Sequence, residues 1–161
     1  MEVIVKNIKI LHVKVFEFNT ETYYKKNLTP FNTGVNLDGL DASESNQYTY
    51  EVPGNIRHRE IFDFPQLKGR VGLFIVELMG NGVSARAVIK KGSLSLVHRS
   101  TIAGHLAYVL DESKAVCTGE RSGVWFDSKY YPADKVTGRI FIPYGKQELS
   151  RKIIMINEDF A

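Results

Sequence analysis

The feature that most constrains the fold of this sequence is a Gly-Asn-Gly break between two β-rich runs. The apolar run LFIVELM leads into Gly80-Asn81-Gly82, and VSARAVIKK follows at once. An Asn-Gly pair between such runs is the strongest short-range signal for a two-residue hairpin turn, because both residues accept positive φ. The sequence therefore predicts a β-hairpin that turns at Asn81-Gly82.

Most of the remaining chain repeats the same pattern, in which short β-rich runs are separated by Gly, Asn, Asp or Pro. Such a pattern is typical of sandwiches and barrels. We expect an all-β protein of two consecutive antiparallel β-sandwich modules, residues 1–100 and 101–161, joined near residues 98–104. The second part contains about five strand patterns, fewer than the seven of a complete immunoglobulin-type sandwich, so it is expected to be truncated.

Two local patterns predict irregularities near the start of the chain. After Val15 the apolar positions shift to Phe16 and Phe18, and such a change of phase is typical of a β-bulge. Residues 20–27 are compatible with one or two helical turns capped by Thr20, too short to be stable without tertiary packing. Helix is therefore expected only in this connecting segment.

Composition excludes several classes of protein. The 161 residues are 43% apolar and 24% charged, as in ordinary globular domains, and the formal net charge of +3 is too small to indicate nucleic-acid binding. No apolar run approaches the roughly 20 residues of a membrane span, and lysines interrupt the first apolar stretch, unlike a signal peptide. The single cysteine, Cys117, cannot form an internal disulfide. Because strand patterns begin and end the sequence, we expect a piece of a longer protein.

Each pattern that could indicate a catalytic, cofactor or metal site has a simpler structural interpretation, which we favour. Residues 80–85 match G-x-G-x-x-A, but the dinucleotide fingerprint needs a following helix, and β-like sequence follows instead. Asp38-Gly39 lacks the EF-hand register and is interpreted as a turn. No G-x-S-x-G elbow is present. The histidines lack the spacing of a zinc site; they are His12, His58, His98 and His105.

One feature indicates a partner. In residues 124–126 and 140–142 apolar side chains occupy both strand parities, so a sheet built from them would be apolar on both faces. The second face requires a cover: a neighbouring module, a further strand, or a ligand that stacks on aromatic rings. The candidate partner or ligand surface comprises Trp125, Tyr130, Tyr131, Phe141 and Tyr144.

The order of these segments resembles the macroglobulin-type and carboxypeptidase-regulatory-like β-sandwich modules of large alpha-2-macroglobulin-like proteins. The segments that carry the resemblance are Leu110-Asp111-Glu112, Val124-Trp125-Phe126, Tyr131-Pro132-Ala133-Asp134, Gly138-Arg139-Ile140 and Ile142-Pro143-Tyr144. The thioester signature of that family, Gly-Cys-Gly-Glu-Gln, is absent around Cys117. The resemblance therefore implies a structural module without the reactive centre.

The sequence thus favours a non-catalytic structural or interaction segment of a larger multidomain protein, with a macroglobulin-like scaffold. Its expected partners are neighbouring modules of the parent protein, and another protein or a glycan, with no nucleic acid, no membrane and no cofactor. The alternative is a carbohydrate-binding module that uses the aromatic residues as a stacking platform. An enzyme is disfavoured because no converging titratable groups are evident.

Overall fold

The computed structural model describes residues 1–145 and 152–161, which form an almost wholly antiparallel β protein, and the predicted fold class is confirmed. Its strands are β1 (Glu2–Lys6), β2 (Ile10–Phe18), β3 (Glu44–Thr49), β4 (Arg57–Ile61), β5 (Gly72–Gly80), β6 (Val83–Lys91), β7 (Ser95–Ser100), β8 (Gly104–Leu110), β9 (Gly123–Phe126), β10 (Lys129–Pro132), β11 (Ile140–Pro143) and β12 (Ile153–Ile156). Its helices are α1 (Thr20–Asn27) and one 3-10 turn (Pro65–Leu67).

The chain divides into two compact units. The first unit consists of residues 1–18 and 31–91, and the second of residues 19–30 and 92–161. The division differs from the expected modules 1–100 and 101–161, because α1 and β7 lie in the second unit. Periodicity along the chain could not indicate this, because α1 joins the second unit through contacts far away in sequence.

In the first unit, a four-stranded sheet in the order β3-β2-β5-β6 accompanies the two-stranded β1-β4 sheet. One hydrophobic cluster includes Val13 and Phe74 of the large sheet together with Val5 and Phe62. A second cluster packs Phe16 and Ile75 against segment 31–42. Both faces of this sheet are covered, which explains why its central strands carry apolar side chains on both faces.

The bulge predicted after Val15 is wrong. The register of β2 with β5 runs without interruption from the His12–Met79 pair to the Phe18–Leu73 pair. Val15 and Phe16 are both buried, but in opposite faces of the sheet. The change of phase reflects two covered faces, and no residue has been inserted.

The predicted helical segment forms, but its cap differs from the prediction. Asn19, one residue earlier than expected, accepts a hydrogen bond at Oδ1 from the Thr22 backbone N–H (2.8 Å). Thr20 is buried instead, where its Oγ1 accepts a hydrogen bond from the Ala161 N–H (2.8 Å). Both residues are favourable caps, so sequence preference alone does not separate them.

The hairpin predicted at residues 81 and 82 is confirmed. β5 and β6 pair in register up to Gly80 and Val83, which leaves only Asn81 and Gly82 in the turn. Their φ angles are 49° and 73°, as a type I′ turn requires.

We expect Gly82→Val to lower the free energy of unfolding by about 1 to 3 kcal/mol, because a β-branched residue is strained at positive φ. A Cβ built on Gly82 meets no atom within 4 Å, so the cost arises from the backbone and not from a clash. Urea denaturation of the variant and of Gly82→Asn, which tolerates positive φ, provides the measurement. Equal stability of the two variants would contradict the turn assignment.

The second unit contains two three-stranded sheets, in the orders β11-β8-β7 and β10-β9-β12. The cluster between them includes Val109 and Ile140 from the first sheet and Val124 from the second. β8 packs on β9, and β10 lies beside β11. α1 packs against β12, on the side of that sheet away from this cluster.

Candidate interaction surface

Two of the five candidate surface residues lie together. Trp125 on β9 and Tyr130 on β10 are cross-strand partners and therefore share one face of their sheet. Gly123 makes room for the tyrosine, since a Cβ at that position would lie 2.7 Å from the Tyr130 hydroxyl oxygen. The Tyr130 side chain is partly buried, and this burial is the main cause that raises the pKa of its hydroxyl. The negative charge of nearby Glu21 raises the pKa further. We call this surface the Trp125 face.

A network of charged side chains borders the Trp125 face. The Glu21 carboxylate accepts hydrogen bonds from Lys25 Nζ and from Arg121 Nη2, each at 2.6 Å. Arg121 Nη1 also donates to Asp159 Oδ1 (2.6 Å). A cavity of about 310 Å³ adjoins these groups and Tyr130. Trp, Tyr and Arg are the residue types that most often dominate binding energy in protein interfaces.

The other three candidate residues lie elsewhere in the second unit. Tyr131 packs into the core between the two sheets, with Lys129 Nζ 5.2 Å from its ring centroid. Phe141 lies on the outer face of the other sheet and is 46% exposed. Tyr144 donates a hydrogen bond to the Thr101 carbonyl oxygen (2.6 Å). The five residues therefore occupy separate places and do not form one stacking platform.

A second cavity, which no sequence pattern indicated, is lined mostly by apolar side chains, unlike the first. It has a volume of about 120 Å³ and lies between the two sheets of the second unit. Its lining comprises Leu96, His98, His105, Ala107, Phe126, Ile142 and Ile153. Strand periodicity shows which side chains share a face of a sheet, but it does not show how two sheets stack. The cavity between the sheets therefore could not be predicted from the sequence.

Two of the candidates considered for catalysis or metal binding lie in a core and in a turn. Cys117 is buried in the core of the second unit, and burial raises the pKa of its thiol, which makes it a poor nucleophile. Gly39 has a φ of 77°, as a turn glycine does. Within residues 1–145 and 152–161, no three or more His, Cys, Asp or Glu side chains are grouped to hold a metal ion, and no helix could span a membrane.

The first unit contains a small polar cluster that no sequence pattern indicated. The Tyr50 ring contacts the His58 ring edge-on (4.7 Å between centroids), and His58 Nε2 lies 3.5 Å from Glu60 Oε1. Among the described residues, no group forms a hydrogen bond with the buried Tyr50 hydroxyl. Burial, then the Glu60 charge, then Tyr48 raise the pKa of Tyr50 to about 12.

We expect Tyr50→Phe to flatten the alkaline decline in stability. The pKa of Tyr50 is about 12 when folded, against 10.0 for an ordinary tyrosine, so the folded state disfavours the ionised hydroxyl and the stability of the protein falls as pH rises from 10 to 12. At neutral pH the variant should be as stable as the wild type or more so, since it removes a buried group without a partner. Urea denaturation across this pH range tests both points, and parallel curves would contradict the prediction.

Comparison with known proteins identifies the family. The model of the AbpF first immunoglobulin-like domain matches residues 11–92. The chain belongs to this immunoglobulin-like family. The match extends from β2 to the end of the hairpin strand β6 and so covers most of the first unit of this immunoglobulin-like protein.

The immunoglobulin-like chain is also similar to Actin-binding protein F of Dictyostelium discoideum, at 34% identity over 157 residues. That alignment covers 97% of the chain but only 6% of the length of the relative. Two solved structures of native alpha-2-macroglobulin from Escherichia coli are similar at 10% and 9% identity. The first alignment covers 96% of this chain and 87% of the solved chain, with a TM-score of 0.47. The second covers 97% of this chain and 58% of the solved chain, with a TM-score of 0.49. At these scores the likeness supports no conclusion about function.

Proposed function

We propose that this chain is a non-catalytic immunoglobulin-like segment of a larger multidomain protein and that it binds other proteins. The observation that carries the proposal is the alignment of nearly the whole chain with a small part of Actin-binding protein F. A macroglobulin-like scaffold role, in which the chain also packs against neighbouring modules of its parent, belongs to the same proposal. Immunoglobulin-like sandwiches present surfaces and loops on a rigid core, which suits binding without chemistry.

We propose actin as the first partner to test, on the name of the relative, and the Trp125 face as the contact surface. This face combines an aromatic pair with Arg121, whose guanidinium Glu21 and Asp159 hold in place. Preorganised side chains lose less entropy on binding than mobile ones. The mixture of charges around Arg121 is compatible with a polar rim.

Sedimentation with polymerised actin tests the proposal. We expect the chain to pellet with actin in a saturable manner, and Tyr130→Ala to weaken binding by about tenfold or more, as loss of a central aromatic residue does. Phe141→Ala, on the other sheet, is the matched control and should bind as the wild type does. Failure of the wild type to pellet would contradict actin as the partner. Equal loss in both variants would contradict the Trp125 face.

The carbohydrate-binding alternative rests on the same Trp125–Tyr130 pair, since sugar rings stack on exposed aromatic side chains. The separation of Tyr131, Phe141 and Tyr144 from that pair limits such a site to two rings. A glycan array distinguishes the two functions. Saturable binding to a glycan, abolished by Tyr130→Ala and without actin binding, would favour the alternative.

A further inference from the structure

The sandwich of the second unit has one open side. β7 and β12 are the terminal strands of their sheets, and the stacking of β8 on β9 with β10 beside β11 places both on the same side. Within the described residues, neither strand has a pairing partner along its outer edge. An unpaired edge offers a row of N–H and C=O groups to another strand.

The backbone groups that β7 offers follow from its register. The Thr101 N–H donates to the Gly104 carbonyl oxygen (2.7 Å), and β7 pairs with β8 from Ser95–Leu110 to Ser100–His105. In an antiparallel ladder, hydrogen-bonded and non-hydrogen-bonded pairs alternate. Val97 and Arg99 therefore direct their backbone groups to β8, and the alternate residues direct theirs outward. Those outward residues are Leu96, His98 and Ser100.

The apolar cavity of about 120 Å³ adjoins this edge. Leu96 and His98 of β7 line it on one sheet, and Phe126 and Ile153 line it on the other. It is much smaller than the roughly 300 Å³ or more of a typical small-molecule site. Its size and lining are suited to a single apolar side chain of an added strand.

Charge indicates what accompanies that side chain. On β7, Arg99 alternates with the cavity-lining Leu96 and His98 and is exposed on the face away from the cavity, and neither β7 nor β12 contains an acidic residue. No carboxylate among residues 1–145 and 152–161 forms an ion pair with Arg99. An occupant with acidic side chains would complement this edge.

We propose that the open side binds an extended segment of a partner protein as an additional β-strand. Its backbone pairs with the outer edge of β7, one apolar side chain enters the cavity beside Leu96 and His98, and acidic side chains lie on the opposite face near Arg99. Strand addition of this kind draws affinity from main-chain hydrogen bonds and specificity from pockets for alternate side chains. The inference rests on the proposed protein-binding role, but not on actin as the partner.

The probe is a fluorescein-labelled peptide of about nine residues that alternates Val or Leu with Glu or Thr, with anisotropy as the measurement. We expect saturable binding, and about tenfold weaker binding when Lys replaces each Glu. Two further peptides are N-methylated on alternate amides, in opposite phases. One phase should abolish binding and the other should retain it, because only one set of amides faces β7.

A chain variant tests the cavity. Ala107 is fully buried and lines the cavity, so Ala107→Leu fills it and should weaken peptide binding by about tenfold or more. Phe141→Ala, on the opposite face of the same sheet, should leave binding unchanged, and a thermal melt verifies that both variants fold. The methylated peptides keep the test valid if Ala107→Leu does not fold.

Several results would overturn the proposal: no peptide binding, equal binding of both methylated phases, or binding unaffected by a folded Ala107→Leu variant. Concentration-dependent dimerisation in sedimentation equilibrium, abolished by Ala107→Leu, would instead assign the open side to a second copy of the chain. A chain that binds the peptide but does not pellet with actin supports this inference and contradicts only the choice of actin. A chain that pellets with actin but ignores the peptide contradicts this inference alone.

Discussion

Replacing Arg86 with leucine is expected to lower the free energy of unfolding by about 3 kcal/mol, because it leaves the carboxylate of Glu77 buried without its partner. Glu77 is 8% exposed on the central strand β5. Arg86 Nε and Nη2 donate to Glu77 Oε1 at 2.9 and 2.8 Å, and Arg86 Nη1 donates to the Val35 carbonyl oxygen at 3.1 Å. Lys14 on β2 is the register partner of Glu77 and is also cationic, so it compensates part of the lost charge. We therefore expect a loss of stability at the low end of the range for breaking a buried ion pair.

The controls for this prediction follow from the unequal burial of the pair. Glu77→Leu should cost less than Arg86→Leu, because the arginine side chain is about one-third exposed and remains partly solvated. The double variant Glu77→Leu/Arg86→Leu should recover most of the loss, as when apolar residues replace a buried pair. Urea denaturation of all four proteins forms a double-mutant cycle. Additive single losses would contradict a direct interaction.

Phe74→Ala is the second substitution with a large expected effect, a loss of about 3 to 5 kcal/mol. The Phe74 side chain is fully buried on β5, in the cluster that contains Val13 and Phe62. The loss combines the removed burial of the ring with the cavity left between two sheets.

Guanidinium chloride denaturation measures this loss. Ile61→Ala is the matched control, because that isoleucine is 68% exposed and its truncation should change stability by no more than about 0.5 kcal/mol. Similar values for the two variants would contradict the assignment of Phe74 to the core of the first unit.

Local sequence signals predicted the fold where they determined the backbone directly. Asn81 and Gly82 are such a case, since their positive φ angles fix the hairpin whatever packs against it. The segment after Val15 is the opposite case. Its apolar side chains have no alternating pattern, and only the covering of both faces of the sheet distinguishes such a strand from a bulged one.

The candidate surface was predictable by residue type but not by arrangement. Aromatic composition indicated Trp125 and Tyr130, and their pairing across two strands joined by a tight turn follows from local sequence. The position of Tyr131 on the core side required the strand register. The charged network at Glu21 and Arg121 joins residues 100 positions apart, which no local pattern indicates.

The covering of both faces of the first-unit sheet has a consequence for how its strands align. β5 is apolar in both parities, so sliding it by one residue would exchange one set of buried apolar side chains for another, and burial alone would scarcely oppose the slip. Glu77 would then face the apolar cluster around Phe74, away from Arg86. We infer that this ion pair and the two-residue turn select one alignment among several of similar hydrophobicity, and that losing the pair favours misaligned strands and edge-to-edge association.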